Sequence, residues 1–171
     1  ASDVYKRQVM KVPGQDKGWL SMVDKSMPGN FTVNKNGERF SNESQNYVSF
    51  VNDMFEKYAE GNPCAPCYMI FDSTFRKNRP CGPLLQASMQ PDSAVPKEWW
   101  TPSFLSKGET LEELAEVAGI DKDGLLATQA KVNEYAKSGK DLDLKRGDTA
   151  YDRYYGDPSV TPNPCLAPLE K

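Results

Sequence analysis

Histidine is absent from this chain of 171 residues. Imidazole is the side chain whose unperturbed pKa lies closest to neutral pH, and it is a frequent zinc ligand. Its absence excludes His-based catalytic triads and HExxH metal sites. Any acid or base chemistry must therefore use Tyr, Asp, Glu, Lys or Cys.

Closely spaced glycines are also absent. No two of the twelve glycines are separated by a single residue. The sequence therefore contains no GxGxxG dinucleotide fingerprint, and it contains no Walker A loop. If the protein uses a nucleotide cofactor, neither of these motifs in this chain binds its phosphates.

Long apolar runs and basic clusters are missing as well. No apolar run approaches the length needed to cross a bilayer, so we expect no transmembrane segment. The net charge is -3, and no run of Lys and Arg alternates with aromatic residues, so we expect no nucleic-acid partner. Residues 1–8 lack the apolar stretch of a signal peptide, and we expect them to be a non-native leader before one domain at 9–171.

The four cysteines give a partial metal-site pattern. Cys64 and Cys67 have the CxxC spacing of a zinc ribbon, but Cys81 and Cys165 are solitary, and a structural zinc site normally needs a second pair. We therefore expect reduced, metal-free thiols, as in a reducing compartment. This predicts a cytoplasmic protein, with peripheral membrane association as the alternative.

Residues 28–58 carry the densest structural signals. The run from Phe31 to Phe40 predicts a β-hairpin, because Asn36-Gly37 between two β-prone segments favours a type I′ turn. A polar cluster at 41–44 then precedes apolar residues at three- and four-residue spacing, which predicts a helix at about 45–59 that ends before Gly61. Tyr47 falls at the start of this helix. A loop-to-helix junction next to a hairpin is a rigid place to present a functional group.

The remaining elements complete an α+β prediction. Residues 67–71 read as a buried strand, and Thr110 and Asp121 are predicted to cap helices at 111–118 and 122–137. Residues 76–103 are rich in proline and lack periodicity, so we expect an irregular segment with Trp99 and Trp100 exposed. The fold predicted is a small, mostly antiparallel sheet with one hairpin, packed by about three helices.

The motif PG-x3-V-N-x-NG-x-RF-x-NES-x2-Y-x2-F begins at Pro28 and is followed by the block Arg146–Pro158. With these motifs, the chain from about residue 19 to 171 resembles the substrate (catalytic) domain of FAD-dependent 3-ketosteroid dehydrogenases, in the fumarate reductase and succinate dehydrogenase flavoprotein superfamily. The resemblance implies desaturation of ring A of a 3-ketosteroid. It also implies that FAD is bound mainly by a separate domain of the same polypeptide, so the isolated chain is expected to be inactive.

Site residues follow from the same resemblance. The tyrosine of the NES-x2-Y motif, here Tyr47, is implied to be the base that removes the proton next to the ketone. Many members of this family have proline before that tyrosine, where this chain has Asn46. The candidate substrate contacts are Met22, Val23, Cys81 and Pro83, with core packing as the alternative for the first two.

Two other functions stay open at this point. One is a fumarate reductase-like flavoprotein acting on another substrate, although an arginine would be expected at position 47 to bind a dicarboxylate, whereas tyrosine suits an apolar ketone. The other is a binding module without catalysis. The sequence does not distinguish Δ1 from Δ4 oxidation.

Overall fold

The computed structural model describes residues 9–16, 18–21, 23–62 and 64–170. The expected leader at 1–8 and the candidate substrate contact Met22 lie outside the described residues.

Two small antiparallel sheets and five helices make up the described part of the fold. Strand β1 (Val9–Met10) pairs with β2 (Trp19–Leu20), and β3 (Asn30–Val33) pairs with β4 (Tyr68–Phe71). The helices are α1 (Tyr47–Ala59), α2 (Ser73–Asn78), α3 (Leu111–Ala118), α4 (Lys122–Ser138) and α5 (Ala150–Tyr154). The predicted α+β class is confirmed, and the short helices α2 and α5 are additions to it.

The three predicted helices begin and end within two residues of the predicted positions. Asn46 caps α1 by accepting the N–H of Ser49, while Thr110 and Asp121 cap α3 and α4 in the same way. Each of these side chains satisfies an N–H group that has no partner inside its helix. Gly119 and Gly139 end α3 and α4 in the left-handed conformation, as the glycine rule predicts.

The predicted hairpin forms a turn, but the predicted type I′ turn is wrong, because Asn36 does not have the positive φ that this type requires, and the second arm is not a full strand. The side-chain oxygen of Asn34 accepts the N–H groups of Asn36 and Glu38, each at 3.0 Å. The two arms meet at a single bridge between Val33 and Arg39. The arm ends there because Glu43 Oε1 accepts the N–H of Thr32 at 3.0 Å, so a side chain takes a ladder position on β3.

The tip of this turn packs against the start of α4. Asp121 donates its N–H to the carbonyl of Lys35 at 2.8 Å, and Thr128 Oγ1 donates to the carbonyl of Gly37 at 2.6 Å. A Cβ atom on Gly124 would overlap the carbonyl oxygen of Asn36. The turn and the helix therefore approach each other as closely as they do only because position 124 has no side chain.

The main apolar core lies between the β3–β4 sheet and the helices α3 and α4. Its buried side chains include Phe31, Val33, Ile70, Ala115, Leu125 and Val132. A second cluster joins Val12 to the irregular segment through Leu84, Val95 and Trp99. The prediction that Trp99 is exposed is wrong: only 7% of it is accessible, because this segment folds over its own apolar residues.

Glu43 is fully buried and ion-paired. Arg39 Nη2 lies 2.7 Å from Glu43 Oε2 and 2.8 Å from Asp141 Oδ2, and Arg146 Nη1 lies 3.3 Å from Glu43 Oε2. Burial alone would raise the pKa of Glu43, but the charges of Arg39 and Arg146 outweigh it and lower the pKa to about 2. The carboxylate therefore stays ionised in the folded chain at neutral pH.

We predict that Glu43→Gln lowers the free energy of unfolding at pH 7 by about 3–5 kcal/mol, because two buried guanidinium groups lose their shared counter-charge. In the wild type, the pKa of Glu43 falls from 4.5 when unfolded to about 2 when folded. Stability should therefore be complete above pH 4.5 and be lost as the pH falls toward 2. Denaturant titrations at several pH values measure both effects.

Glu60→Gln is the matched control, since Glu60 is an exposed residue paired only with Lys57 in the described contacts. It should leave the free energy of unfolding nearly unchanged. A Glu43→Gln chain as stable as this control would contradict the prediction.

Candidate active site

Tyr47 is the first residue of α1, and its side chain is half-buried. It belongs to none of the buried apolar clusters formed by the described residues. Its helix is fixed at the next turn, where Phe50 packs against Phe40 with ring centroids 5.4 Å apart. The phenol therefore lies at the edge of the fold, on a helix whose other side is anchored in the core.

The loop at residues 41–46, here called the Tyr47 loop, is bonded to the helix that it precedes. Ser41 Oγ donates to Asp53 Oδ2 at 2.7 Å, and Gln45 Nε2 donates to the same carboxylate oxygen at 2.6 Å. Asp53 lies in the second turn of α1, so these bonds close the loop back onto its own helix. This restricts the direction in which Tyr47 can point.

The other end of the chain also holds the Tyr47 loop. Arg146 is 1% exposed and donates to the carbonyls of Lys25, Met27 and Asn30 and to Ser44 Oγ, at 2.7–3.1 Å. These contacts join residues more than 100 positions apart. A fully buried arginine with all these partners makes the loop part of the folded core.

Asn42 connects the Tyr47 loop to α5. Its side-chain amide donates to Asp152 Oδ2 at 3.0 Å, and its side-chain oxygen accepts the N–H of Ser44 at 2.8 Å. Asp152 is buried and also accepts the N–H of Gly147. The first residue of the NES motif therefore fixes the position of α5 relative to the Tyr47 loop.

Helix α5 brings further tyrosines toward Tyr47. The pKa of Tyr151 is raised by burial and by the nearby acidic groups of Tyr155, Tyr47 and Asp152. The rings of Tyr151 and Tyr155 meet edge to face, with centroids 5.9 Å apart. Tyr151 therefore stays protonated near Tyr47, as a phenol that can donate a hydrogen bond.

The candidate substrate contacts Val23, Cys81 and Pro83 come from two adjoining segments. Asp24 Oδ2 accepts the N–H of Gly82 at 2.9 Å, which joins the segment after Val23 to the turn between Cys81 and Pro83. That turn is closed by two backbone hydrogen bonds between residues 81 and 84. All three candidate side chains are half-buried. Here they are called the wall.

Cys81 contributes to this wall as an uncharged group. Its Sγ lies 3.6 Å from Met69 Sδ. Burial, helped by the charge of Asp24, raises the pKa of Cys81 to about 12. At neutral pH the side chain is a thiol that packs like a small apolar residue.

Several residues that hold this site carry no signal in the sequence. Lys25, Asp24 and Asp152 look like ordinary surface charges, because no motif or spacing marks them. Arg146 lies in a block that the resemblance includes, but nothing in the block predicts that the side chain is buried. Only the contacts between distant segments identify these four residues.

A cleft lies between the turn at 38–40 and α4. It encloses about 440 Å³ and is lined by Glu38, Lys57, Thr128, Lys131 and Asp143 among others. Neither Tyr47 nor the wall lines this cleft. Its charges are partly paired with each other, as Lys131 with Asp143 at 3.4 Å. It is therefore separate from the candidate active site.

Comparisons with known proteins show the family to which the chain belongs. A model of the family described as "FAD binding domain" matches residues 12–170. The chain belongs to this family. Among the described residues, no helix has both the length and the apolar character needed to cross a membrane.

Three individual proteins are similar to this chain over most of its length. The 3-oxosteroid 1-dehydrogenase of Mycobacterium tuberculosis H37Rv is 38% identical over 91% of the chain and 27% of the relative. The 4-oxocyclohexanecarboxylate 2-dehydrogenase of Sinomonas cyclohexanicum is 36% identical over 92% of the chain and 26% of the relative. A crystal structure of 3-ketosteroid Δ1-dehydrogenase from Sterolibacterium denitrificans, with 1,4-androstadiene-3,17-dione, has a TM-score of 0.88 and 36% identity over 100% of this chain and 32% of that chain. The chain thus spans about a quarter to a third of the length of these three proteins.

The environments of the cysteines give a prediction about metal binding. Cys64 is buried against Phe40 and Phe50, and burial raises the pKa values of Cys64 and Cys165. Metals bind the thiolate form, which these environments disfavour. We therefore predict that elemental analysis of the purified chain finds no stoichiometric zinc.

A chain with one zinc, lost in Cys64→Ser but kept in Cys165→Ser, would contradict this prediction. It would restore the CxxC interpretation that the spacing of Cys64 and Cys67 first raised.

Proposed function

We propose that this chain is the substrate domain of an FAD-dependent 3-ketosteroid Δ1-dehydrogenase. The observation that carries the proposal is the position of Tyr47, held at a rigid loop-to-helix junction in a chain that matches such enzymes over nearly its whole length. The Δ1 position is favoured over Δ4 because the steroid-specific relatives named above are 1-dehydrogenases.

The proposed reaction removes two hydrogens from neighbouring carbons of ring A. A base takes the proton from the carbon next to the ketone, the C–H bond electrons form the new double bond, and a hydride leaves the adjacent carbon. Bound FAD supplies the hydride acceptor. The proton is only weakly acidic, so the base must be placed accurately beside it.

Tyr47 suits the role of base in its placement. Its side chain is half-buried and lies outside the apolar core, so it is open to a substrate. Model tyrosine has a pKa of about 10, so the phenol needs a hydrogen-bond donor or a positive charge to act as a base near neutral pH. Tyr151, whose pKa is raised by burial, Tyr155 and Tyr47, is the residue that we propose as one such donor.

The wall suits an apolar, uncharged substrate. Val23 and Pro83 are apolar, and Cys81 is held as a neutral thiol by its raised pKa. A dicarboxylate would need paired cations in this position. The wall therefore favours a ketosteroid over the substrates of a fumarate reductase-like enzyme.

The residues of this chain do not fit a complete FAD site. The glycine-rich loop that approaches a pyrophosphate is absent, since no GxG occurs in the sequence. We therefore propose that the rest of the polypeptide holds most of the flavin, and that this chain provides the substrate side. The expectation of reduced thiols supports a cytoplasmic location as part of this proposal.

A smaller cyclic ketone is the second candidate substrate. It is favoured by the similarity to the 4-oxocyclohexanecarboxylate 2-dehydrogenase, which is almost as close as the similarity to the steroid enzyme. The ratio of kcat/KM for androst-4-ene-3,17-dione and for 4-oxocyclohexanecarboxylate, measured on the full-length polypeptide, decides between them. We expect the steroid to be preferred, because no charged side chain is among the three candidate wall residues.

We predict that the isolated chain retains no FAD. After incubation with FAD and gel filtration, the chain should show no stoichiometric flavin absorbance in the visible region. The full-length polypeptide, treated in the same way, should retain the flavin. A chain that keeps one flavin per molecule would contradict the proposed division between the domains.

We predict that Tyr47→Phe in the full-length polypeptide lowers kcat by about 10²–10⁴-fold, the usual contribution of a general base. Steroid affinity should change little, because the ring and its packing remain. Loss of the hydroxyl should cost at most about 1–2 kcal/mol of stability. The measurements are kcat, steroid Kd and melting temperature on the same protein.

Tyr58→Phe is the matched control, because Tyr58 lies near the other end of α1 and is 68% exposed. It should leave kcat unchanged. Normal turnover in Tyr47→Phe with a lowered melting temperature would remove Tyr47 from the catalytic role and make it a structural residue.

A further inference from the structure

The short segment at residues 23–25 contacts both parts of the candidate site. Val23 is in the wall, Asp24 binds the turn that carries the rest of the wall, and Lys25 binds the Tyr47 loop. We propose that Lys25 is a positioning residue. By fixing the Tyr47 loop to this segment, it keeps Tyr47 at a constant position relative to the wall. The proposal rests on the proposed function of Tyr47.

The contacts of Lys25 are short and specific. Its Nζ donates to the carbonyl oxygen of Glu43 at 2.6 Å and to that of Gln45 at 2.8 Å. Gln45 is two residues before Tyr47. Backbone carbonyls cannot move without moving the chain, so these two bonds fix the path of the loop directly before the base.

A third contact fixes the same ammonium to α1. Nζ lies 4.9 Å from the centre of the Phe50 ring, one helical turn after Tyr47. A cation near an aromatic ring is attracted by the electrons of the ring face. The ammonium of Lys25 therefore contacts both the loop that precedes Tyr47 and the helix that begins with Tyr47.

The other side of the segment fixes the wall. Asp24 is the neighbour of Lys25, and its carboxylate accepts the N–H of Gly82 at 2.9 Å. The carbonyl of Asp24 accepts from the side-chain amide of Asn30 at 3.2 Å, which ties the segment to β3. Two adjacent residues thus hold the base on one side and the wall on the other.

Packing alone does not need a charged group at position 25. Lys25 is 3% exposed, and an ammonium in such a place is costly unless it is well paired. Burial lowers the pKa of Lys25 to about 8. Among the groups around it, Glu43 and Asp152 oppose this shift and Arg146 adds to it. Keeping the ammonium of Lys25 charged therefore costs stability, and the charge strengthens its hydrogen bonds to the two carbonyls.

The expected effect of removing the amine is on catalysis more than on binding. An error of about 1 Å in the placement of a reacting group can cost about 10²-fold in rate. We expect Lys25→Met in the full-length, flavin-loaded enzyme to lower kcat by about 10- to 100-fold, with KM changed far less. Lys25→Arg keeps the charge and two or more donors, and we expect it to recover most of this loss.

A double-mutant cycle with Tyr47→Phe separates positioning from general structural damage. The rate of flavin reduction by androst-4-ene-3,17-dione is measured in single turnovers for the wild type, both single variants and the double variant. If Lys25 acts through Tyr47, Lys25→Met lowers the rate in the wild type but adds almost nothing once the phenol is gone. Lys57→Met is the control, since Lys57 lies in α1 and is exposed, and it should leave the rate unchanged.

The outcomes are distinct. Equal fold-losses from Lys25→Met in both backgrounds, or no loss in either, overturn the positioning role even if Tyr47→Phe abolishes turnover as proposed. A normal rate in Tyr47→Phe alone overturns the proposed base and the role of Lys25 with it. If Lys25→Met does not fold, the same cycle is run with Lys25→Gln, which removes the charge but keeps a hydrogen-bond donor, and its loss must also disappear in the Tyr47→Phe background.

Discussion

The buried carboxylate of Glu43 is the contact on which the rest of the structure depends. It accepts one hydrogen bond from the N–H of Thr32 in β3 and two from Arg39 in the turn. It also forms an ion pair with Arg146, in the carboxyl-terminal part of the chain. A buried charge is tolerated only when such partners are all in place. Glu43 therefore couples the strand, the turn and the carboxyl-terminal segment into one arrangement.

This coupling also explains why the candidate base is rigid. Glu43 lies four residues before Tyr47, in the same loop, and its own carbonyl is one of the two held by Lys25. The side chain of Glu43 fixes the Tyr47 loop to the core, while its backbone carbonyl is held by Lys25, in the segment that also carries the wall residue Val23. A loop held by its own buried charge has little freedom, so α1 begins in a defined direction and Tyr47 with it.

Local signals in the sequence predicted local structure well. The predicted caps at Thr110 and Asp121 and the glycine at 61 marked helix ends, because these effects act within one turn. Trp99 was misjudged because its burial depends on contacts within an irregular segment and with Val12, and no local periodicity signals either. The proposed role of Tyr47 as a base rests on the resemblance, since an aromatic at the start of an amphipathic helix otherwise looks like core. Lys25 was missed because its partners are carbonyls, which every residue has.

The exposure of the site adds a constraint of its own. Tyr47 and the wall residues are half-buried in this chain, yet removing a weakly acidic proton requires a site from which water is largely excluded. The proteins that match the chain are three to four times longer. Other protein surface must therefore cover this face for the proposed reaction to proceed. The ring of Tyr154, 78% accessible at the end of α5, lies on the helix that Asn42 joins to the Tyr47 loop, so this helix also has an aromatic ring left accessible in the chain.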